Sequence, residues 1–315
     1  MSAPPDNELS DDQARSIVDS VIRNHWGRPP DRIEALDGGL SNYVFAADVG
    51  GKSYIVRFSP SAEKIESYLK EKWAIEKAGQ KGVPTSEILH VGTEPVSVPY
   101  LIARKAVGSE ATHHPNRFAV LREMGRLTAL IHSIPTHGYG SRFDWAGSDL
   151  MRKETWADFL REELEVEERM ATLDRYQMLT REQKTALAAT VEQMMTWTDQ
   201  PSLHHGDMRL KNVLVDEHGT ITAVIDWEHS LSSIPPYWDL AIALHDLSID
   251  AKEVFLEGYE MSGEQIRQAA PYIRAVNQLQ YAPFIERAAE QNDQHQLERL
   301  RTRLLGALNL YGCAT

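Results

Sequence analysis

The segment from His204 to Glu228 holds His205-Gly-Asp207, then Asn212, then Asp226. Val213-Leu-Val215 and Ile221 to Ile225 are two apolar runs on either side of the turn Asp216-Glu-His-Gly219. A hairpin here sets residues near 209–212 opposite residues near 223–226, and facing positions of an antiparallel pair lie only ~5 Å apart. Asp207, Asn212 and Asp226 can then converge. Asn212 and Asp226 offer an amide oxygen and a carboxylate, the hard oxygens that Mg²⁺ takes alongside substrate phosphates. Asp207 offers a third carboxylate, able to accept or orient a substrate hydroxyl. Phosphoryl transfer asks for such positioning and charge neutralisation and for little covalent chemistry from the protein.

His205-Gly-Asp-Met-Arg-Leu-Lys-Asn212, the Ile-Asp-Trp-Glu at 225–228 and Asp239-Leu-Ala241 together resemble the aminoglycoside phosphotransferase and choline kinase family, with the protein-kinase-like fold. The resemblance covers roughly residues 30–250. It implies that Asp207 is the catalytic base, that Asn212 and Asp226 bind Mg²⁺, that His205 braces the loop and that Asp239 supports it from the following helix. It also implies an α+β bilobal fold, a small β-rich N-lobe before a larger, mainly helical C-lobe. Ile102–Gly108, Thr155–Phe159 and Ala223–Trp227 look like hygromycin-type phosphotransferases. The catalytic loop equally resembles kinase-like domains of hydroxyacyl-CoA metabolism. Where the family has Gly-Asp after the metal motif, this chain has Ser233-Ile234.

The elements that must position these groups are legible upstream. Ser10 with Gln13 forms a capping box, and Ala14, Ile17, Val18, Val21 and Ile22 share one helical face up to Gly27. Gly50-Gly51 between Leu40–Val49 and Lys52–Phe58 signals a β-hairpin. Asp37-Gly-Gly-Leu-Ser-Asn42 precedes its first strand, and its small residues let backbone N–H groups approach phosphates; Ser41 and Asn42 are the phosphate-loop candidates. Arg57 sits on the second strand, where the family holds the α- and β-phosphates with a basic residue. Glu71, on a helix read over 62–79, is its candidate partner, with Glu76 as a rival. Tyr100–Gly108 matches the hinge, where backbone groups from Arg104 to Ala106 would meet the adenine edge.

The character of the chain changes after Gly108. Helices are expected over 116–134, 153–172 and 181–197, and over most of 238–312. The expected division is therefore 1–104, the nucleotide-binding lobe, and 105–315, the lobe of the catalytic loop, metal site and acceptor pocket.

Of the 315 residues, 42% are hydrophobic and 25% charged, enough apolar content for a sizeable core. The net charge of −13 argues against nucleic acid as partner, which calls for a basic face. The single cysteine, Cys313, permits no internal disulfide, and no apolar run is long enough for a membrane span; a cytoplasmic setting is expected. The adjacent pairs His113-His114 and His204-His205 are not read as a zinc site, because neighbouring residues seldom aim both rings at one ion.

The expected activity is transfer of a phosphate from ATP or GTP, with Mg²⁺, to a hydroxyl of a small molecule. An aminoglycoside-type antibiotic, and hence resistance, is one acceptor; a hydroxyacyl-CoA or amino alcohol is another. A nucleotide-binding pseudokinase is the non-catalytic alternative. The acidic stretch Asp158, Glu162, Glu163, Glu165, Glu167 and Glu168 would suit an amine. Arg209 and Lys211, within the catalytic loop, would suit an anion.

Overall fold

The computed structural model describes residues 9–36, 43–147, 152–245 and 247–308. The first helix, α1 (Asp11–Trp26), starts at the Ser10 capping box and stops at Gly27, which is left-handed. Five antiparallel strands follow, in the order β1-β2-β3-β5-β4: β1 (Arg32–Leu36), β2 (Tyr43–Val49), β3 (Lys52–Phe58), β4 (Ile88–Gly92) and β5 (Tyr100–Arg104), with α2 (Lys64–Gln80) between β3 and β4.

The sheet is covered on both faces, and strand alternation decides what each face holds. Tyr54, Val56 and Phe58 of β3 are buried with Val18, Val21 and Ile22 of α1. The residues between them, Ile55 and Arg57, therefore emerge on the opposite face. There α2 buries Tyr68, Ala74, Ile75 and Ala78 in the large core that runs on through the rest of the molecule. Arg57 thus reaches Glu71, which α2 presents from the same side.

Beyond Arg104 the chain is mainly helical. In order come β6 (Ser109–Glu110), α3 (Arg117–His132), α4 (Trp156–Asp158), α5 (Val166–Arg175), α6 (Arg181–Met194), β7 (Ser202–His204), β8 (Val213–Val215), β9 (Ile221–Val224), β10 (Leu231–Ser233), α7 (Tyr237–Ala243), α8 (Ile249–Gly258), α9 (Gly263–Glu290) and α10 (Gln294–Leu308). The anticipated hairpin is β8–β9, paired Val213↔Val224. β7 pairs with β10, so that His204 faces Leu231.

Two features depart from the sequence reading. The acidic helix expected over 153–172 is broken: α4 passes into a π-helical turn, Phe159–Glu163, and Glu165 turns left-handed at φ 51° before α5 begins. Trp156, Phe159, Leu160, Leu164 and Val166 are all buried. Positions 156, 159, 160 and 164 would share one face of a regular helix, so the apolar pattern carries no signal of the break. The strands β1, β6, β7 and β10 also went unread: β6, β7 and β10 are two or three residues long, and the five residues of β1 are mostly exposed, with no apolar alternation.

α3 and α8 cross closely enough to exclude side chains. A β-carbon on Gly125 would overlap the Phe255 carbonyl oxygen, and one on Gly258 the Arg122 carbonyl oxygen. Gly125→Ala is expected to lower the unfolding free energy by about 1–3 kcal/mol, the usual penalty for overpacking. Urea denaturation measures it, and an unchanged midpoint would show that the helices can separate freely.

Candidate active site

The catalytic-loop candidate leaves β7 at His205 and is tied down through Asp239, in the first turn of α7. The Asp239 carboxylate is fully buried. It accepts the N–H groups of His205 and Gly206, each at 2.8 Å, and meets His132 Nε2 of α3 at 3.1 Å. His132 Nδ1 lies 2.7 Å from the Tyr259 hydroxyl, so a consistent arrangement has Nε2–H donating to Asp239 and Tyr259 donating to Nδ1. Burial alone would push the Asp239 carboxyl up. The bond from His132, with His204 and His205 close by, outweighs it and holds the group well below the usual carboxylate range.

Gly206 is the pivot of the loop. Its φ is +84°, and a β-carbon there would overlap the His229 carbonyl; any other residue would be strained and would clash. His205 spans the loop: its Nδ1 accepts the Asp207 N–H at 3.2 Å and its Nε2–H donates to the Ile225 carbonyl at 3.0 Å. Its ring packs against Trp227, centroids 4.6 Å apart. Burial depresses its basicity. The neighbouring His204 is pushed down to about 3 by burial, with His132 adding to it.

Asp207 follows, its carboxylate held by three cationic or polar side chains. The Arg209 guanidinium forks onto it, with Nη2 to Oδ2 at 2.8 Å. Lys211 Nζ stands at 3.2 Å. Asn212 Nδ2 donates to the Asp207 carbonyl at 2.8 Å and to Oδ2 at 3.0 Å. Burial raises the carboxyl, but Arg209 first, then Lys211 and Asn212, bring it below its ordinary value.

Because Asn212 spends its NH₂ on Asp207, its Oδ1 is left for something else. The Asn212 carbonyl accepts Ile225 N–H at 2.9 Å, which carries the chain to Asp226 at the end of β9. Asp226 is left-handed, φ 65°, and no hydrogen bond or ion pair engages its carboxylate among the described residues. Asp226 and Glu228 both act on the buried Glu71, pushing its carboxyl up in addition to burial, against the pull of Arg57. Three carboxylates therefore crowd one region with one buried Arg among them. An amide oxygen and an unengaged carboxylate suit a hard divalent cation there, so the donor set fits Mg²⁺. Among the described residues no three or more His, Cys, Asp or Glu side chains are grouped to hold a metal by themselves.

On the sheet side, Arg57 pairs with Glu71 and lies over the Tyr68 ring, 5.6 Å from its centroid; Glu76 instead stands 3.9 Å from Lys72. The hinge backbone is partly committed. Arg104 N–H goes to Glu87 O at 2.9 Å, its carbonyl accepts Ser86 Oγ, and Lys105 N–H goes to Ser53 O at 3.0 Å. The N–H of Ala106 has no such partner among the described residues. Ser41 and Asn42 lie outside the described residues.

Above Asp207 opens a cavity of about 460 Å³, walled by Arg209, Arg169, Trp238, Tyr281 and Phe284. The acidic stretch does not line it. Glu162 pairs with Lys153, Glu163 accepts the Ser141 N–H at 2.6 Å, and Glu168 pairs with Arg175 at 3.3 Å. Sequence reading missed three groups here. Arg169 was hidden within the acidic run. Lys64 reaches Glu228 at 3.0 Å across 164 positions. Lys70 is buried, and burial lowers its amine to about 8 against the opposing pull of Glu163 and Glu71.

Below about pH 6.5 the unfolded chain protonates His204, while in the folded chain burial pushes its pKa down to about 3 and keeps it neutral, so stability falls as pH drops, by about 1.4 kcal/mol per pH unit; burial acts in the same direction at His205. Asp239, depressed in the folded state, adds its own loss only below about pH 4. Urea unfolding between about pH 7 and pH 5 measures the first effect. His204→Gln, which cannot titrate, should flatten that slope; an unchanged slope would remove His204 from the account.

The pattern of the phosphotransferase enzyme family matches residues 32–276. The hygromycin-B 4-O-kinase of Escherichia coli is 27% identical over 210 residues, which are 62% of this chain and 57% of that protein, so the chain spans little more than half of this relative. The crystal structure of a thermostable mutant of aminoglycoside phosphotransferase APH(4)-Ia, in ternary complex with AMP-PNP and hygromycin B, superposes with a TM-score of 0.67 at 20% identity, covering 95% of this chain and 99% of that one. The macrolide 2'-phosphotransferase MphH of Brachybacterium faecium gives 0.57 at 16% identity, over 90% and 97%. These structural likenesses establish the protein-kinase-like fold, and with a family match over most of its length the chain belongs to the phosphotransferase enzyme family.

Proposed function

We propose that the protein transfers the γ-phosphate of ATP, or of GTP, to a hydroxyl group of a small molecule. The observation that carries this is the pairing of Asp207, at the floor of the cavity, with two unspent oxygen donors beside it, Asn212 Oδ1 and Asp226. Residues 1–104 are the proposed nucleotide-binding lobe and 105–315 the proposed lobe of catalysis and acceptor binding. The named relatives, which include a hygromycin kinase and a nucleotide-analogue complex, support both halves of the reading. Among the described residues no helix is long and apolar enough to cross a membrane, and the proposed setting is cytoplasmic.

In this reading Asn212 and Asp226 hold Mg²⁺, which when bound neutralises the charge of the phosphates. Arg57, locked by Glu71, faces the α- and β-phosphates. Ser41 and Asn42 supply the phosphate loop. The strap from Arg104 to Ala106 borders the adenine, with Ala106 N–H free to donate. Asp207 orients the acceptor hydroxyl and receives its proton as the bond to phosphorus forms. Held below its ordinary pKa by Arg209, Asp207 is a weak base, suited to positioning the hydroxyl and to a late proton transfer. His205 and Asp239 keep the loop in place.

Asp207→Asn should reduce turnover by about 10²–10⁴-fold, with the melting temperature close to that of the parent. Asp226→Asn should weaken Mg²⁺-dependent nucleotide binding as well. ADP release, measured with the most responsive acceptor of a panel of aminoglycosides, sugars, amino alcohols and hydroxy acids, provides the test. Full activity in Asp207→Asn would overturn the assignment.

A further inference from the structure

The cavity above Asp207 is basic, although the chain as a whole is acidic. The protein carries 46 Asp and Glu against 33 Lys and Arg. Yet the cavity wall includes Arg169, Arg209 and Arg303, and among the described residues Asp207 is its only carboxylate. Asp207 is already matched by the Arg209 fork and by Lys211. Arg169 and Arg303 are left in excess.

Arg169 is held in place without being neutralised. Its Nη1 donates to the Leu279 carbonyl at 3.2 Å, and its Nε is buried with no partner. No carboxylate forms an ion pair with it among the described residues; Glu165, one turn back on the same segment, is the nearby charge. The acids on the adjoining helices are taken up elsewhere, Glu168 and Glu286 both by Arg175 at 3.3 Å. The remaining wall is aromatic and aliphatic, with Trp238, Ile242, Tyr281 and the exposed Phe284. A polyamine would meet two guanidinium groups there that no ion pair among the described residues neutralises, and no free carboxylate in the wall. A carboxylate or phosphate would meet forked donors matched to its geometry, and an apolar body would cover the rings.

The geometry points to an acceptor that joins a hydroxyl, an apolar body and an anionic group, the anion bound by Arg169 with help from Arg303 while the hydroxyl lies against Asp207. This rests on the phosphotransfer reading above and narrows its acceptor: Arg169 selects anions and rejects polycations. The cavity volume, within the ~300–1,000 Å³ of small-molecule sites, admits such a molecule whole.

The test compares, with Mg-ATP, mandelate and a medium-chain hydroxy fatty acid with their own methyl esters, a phosphorylated hydroxy compound such as glycerol phosphate, and hygromycin B and kanamycin as polyamines. Each acid and its ester offer the same hydroxyl and differ in charge and by one methyl group. A charge-assisted bond to Arg169 should favour an acid over its ester by about 10–100-fold in kcat/KM. Whether carboxylate or phosphate is the better anion is read from the same series. Arg169→Gln should raise KM for the preferred anion about tenfold, leave kcat within about threefold and erase the acid–ester difference, and Arg169→Lys should restore part of it. Calorimetry with Mg-ATP is run on the same samples. With nucleotide binding intact, phosphorylation of a polyamine in preference to every anion overturns the inference, as does turnover of no anion or an acid–ester ratio that survives Arg169→Gln. Absence of nucleotide binding instead overturns the phosphotransfer reading beneath it.

Discussion

One buried carboxylate organises the lower half of this molecule. Asp239 lies out of water, where an unpaired charge would be prohibitively costly, so its partners must all be in place together. Two are backbone N–H groups of His205 and Gly206, and one is the His132 ring from α3. α3 must therefore lie beside α7, and its own approach to α8 is set by glycines that let backbone touch backbone. The same carboxylate fixes the direction in which the chain leaves β7, and so where Asp207 stands. The Ser233-Ile234 pair that replaces the family's Gly-Asp leaves this arrangement intact. Ser233 simply closes β10 against Ser202 of β7, and Asp239 still reaches the loop from the helix that follows.

Much of this was legible in the sequence because the decisive signals were local. The Ser10–Gln13 capping box and the Gly50-Gly51 turn each act over a few residues, and each gave its element. The hairpin after Asn212 was legible for the same reason. Pairings between distant segments were not. Nothing near Lys64 announces Glu228, and nothing near Arg169 distinguishes it from the acidic residues around it. The break at Phe159–Glu163 was hidden because acidic residues at every third or fourth place suggest a solvated helix, whereas the positions between them, Leu160, Leu164 and Val166, were the ones that packing required. Ser41 and Asn42 belong to a segment beyond the described residues, so their place beside Arg57 stays a sequence expectation.

The site also shows how charge can be distributed against the trend of composition. Carboxylates collect on the sheet side, where Glu71, Asp226 and Glu228 lie near the basic Arg57 and Lys64. Guanidinium groups collect in the cavity above Asp207. Asp207 sits between the two, with its charge already matched by Arg209. With two oxygens and about four lone pairs, the carboxylate can still accept a hydroxyl beside that fork.

The two lobes are fastened at more than the strap after β5. Val224 N–H donates to the Pro84 carbonyl at 2.8 Å, Thr85 bridges to the same strand, and Lys64 grips Glu228. These ties join α2 and the segment that follows it to β9 and the turn after it. Glu71, the partner of Arg57, lies on the same helix as Lys64, so Arg57 is tied through α2 to the segment that carries Asp226, whereas the cavity above Asp207 is lined wholly by residues from Arg169 onward.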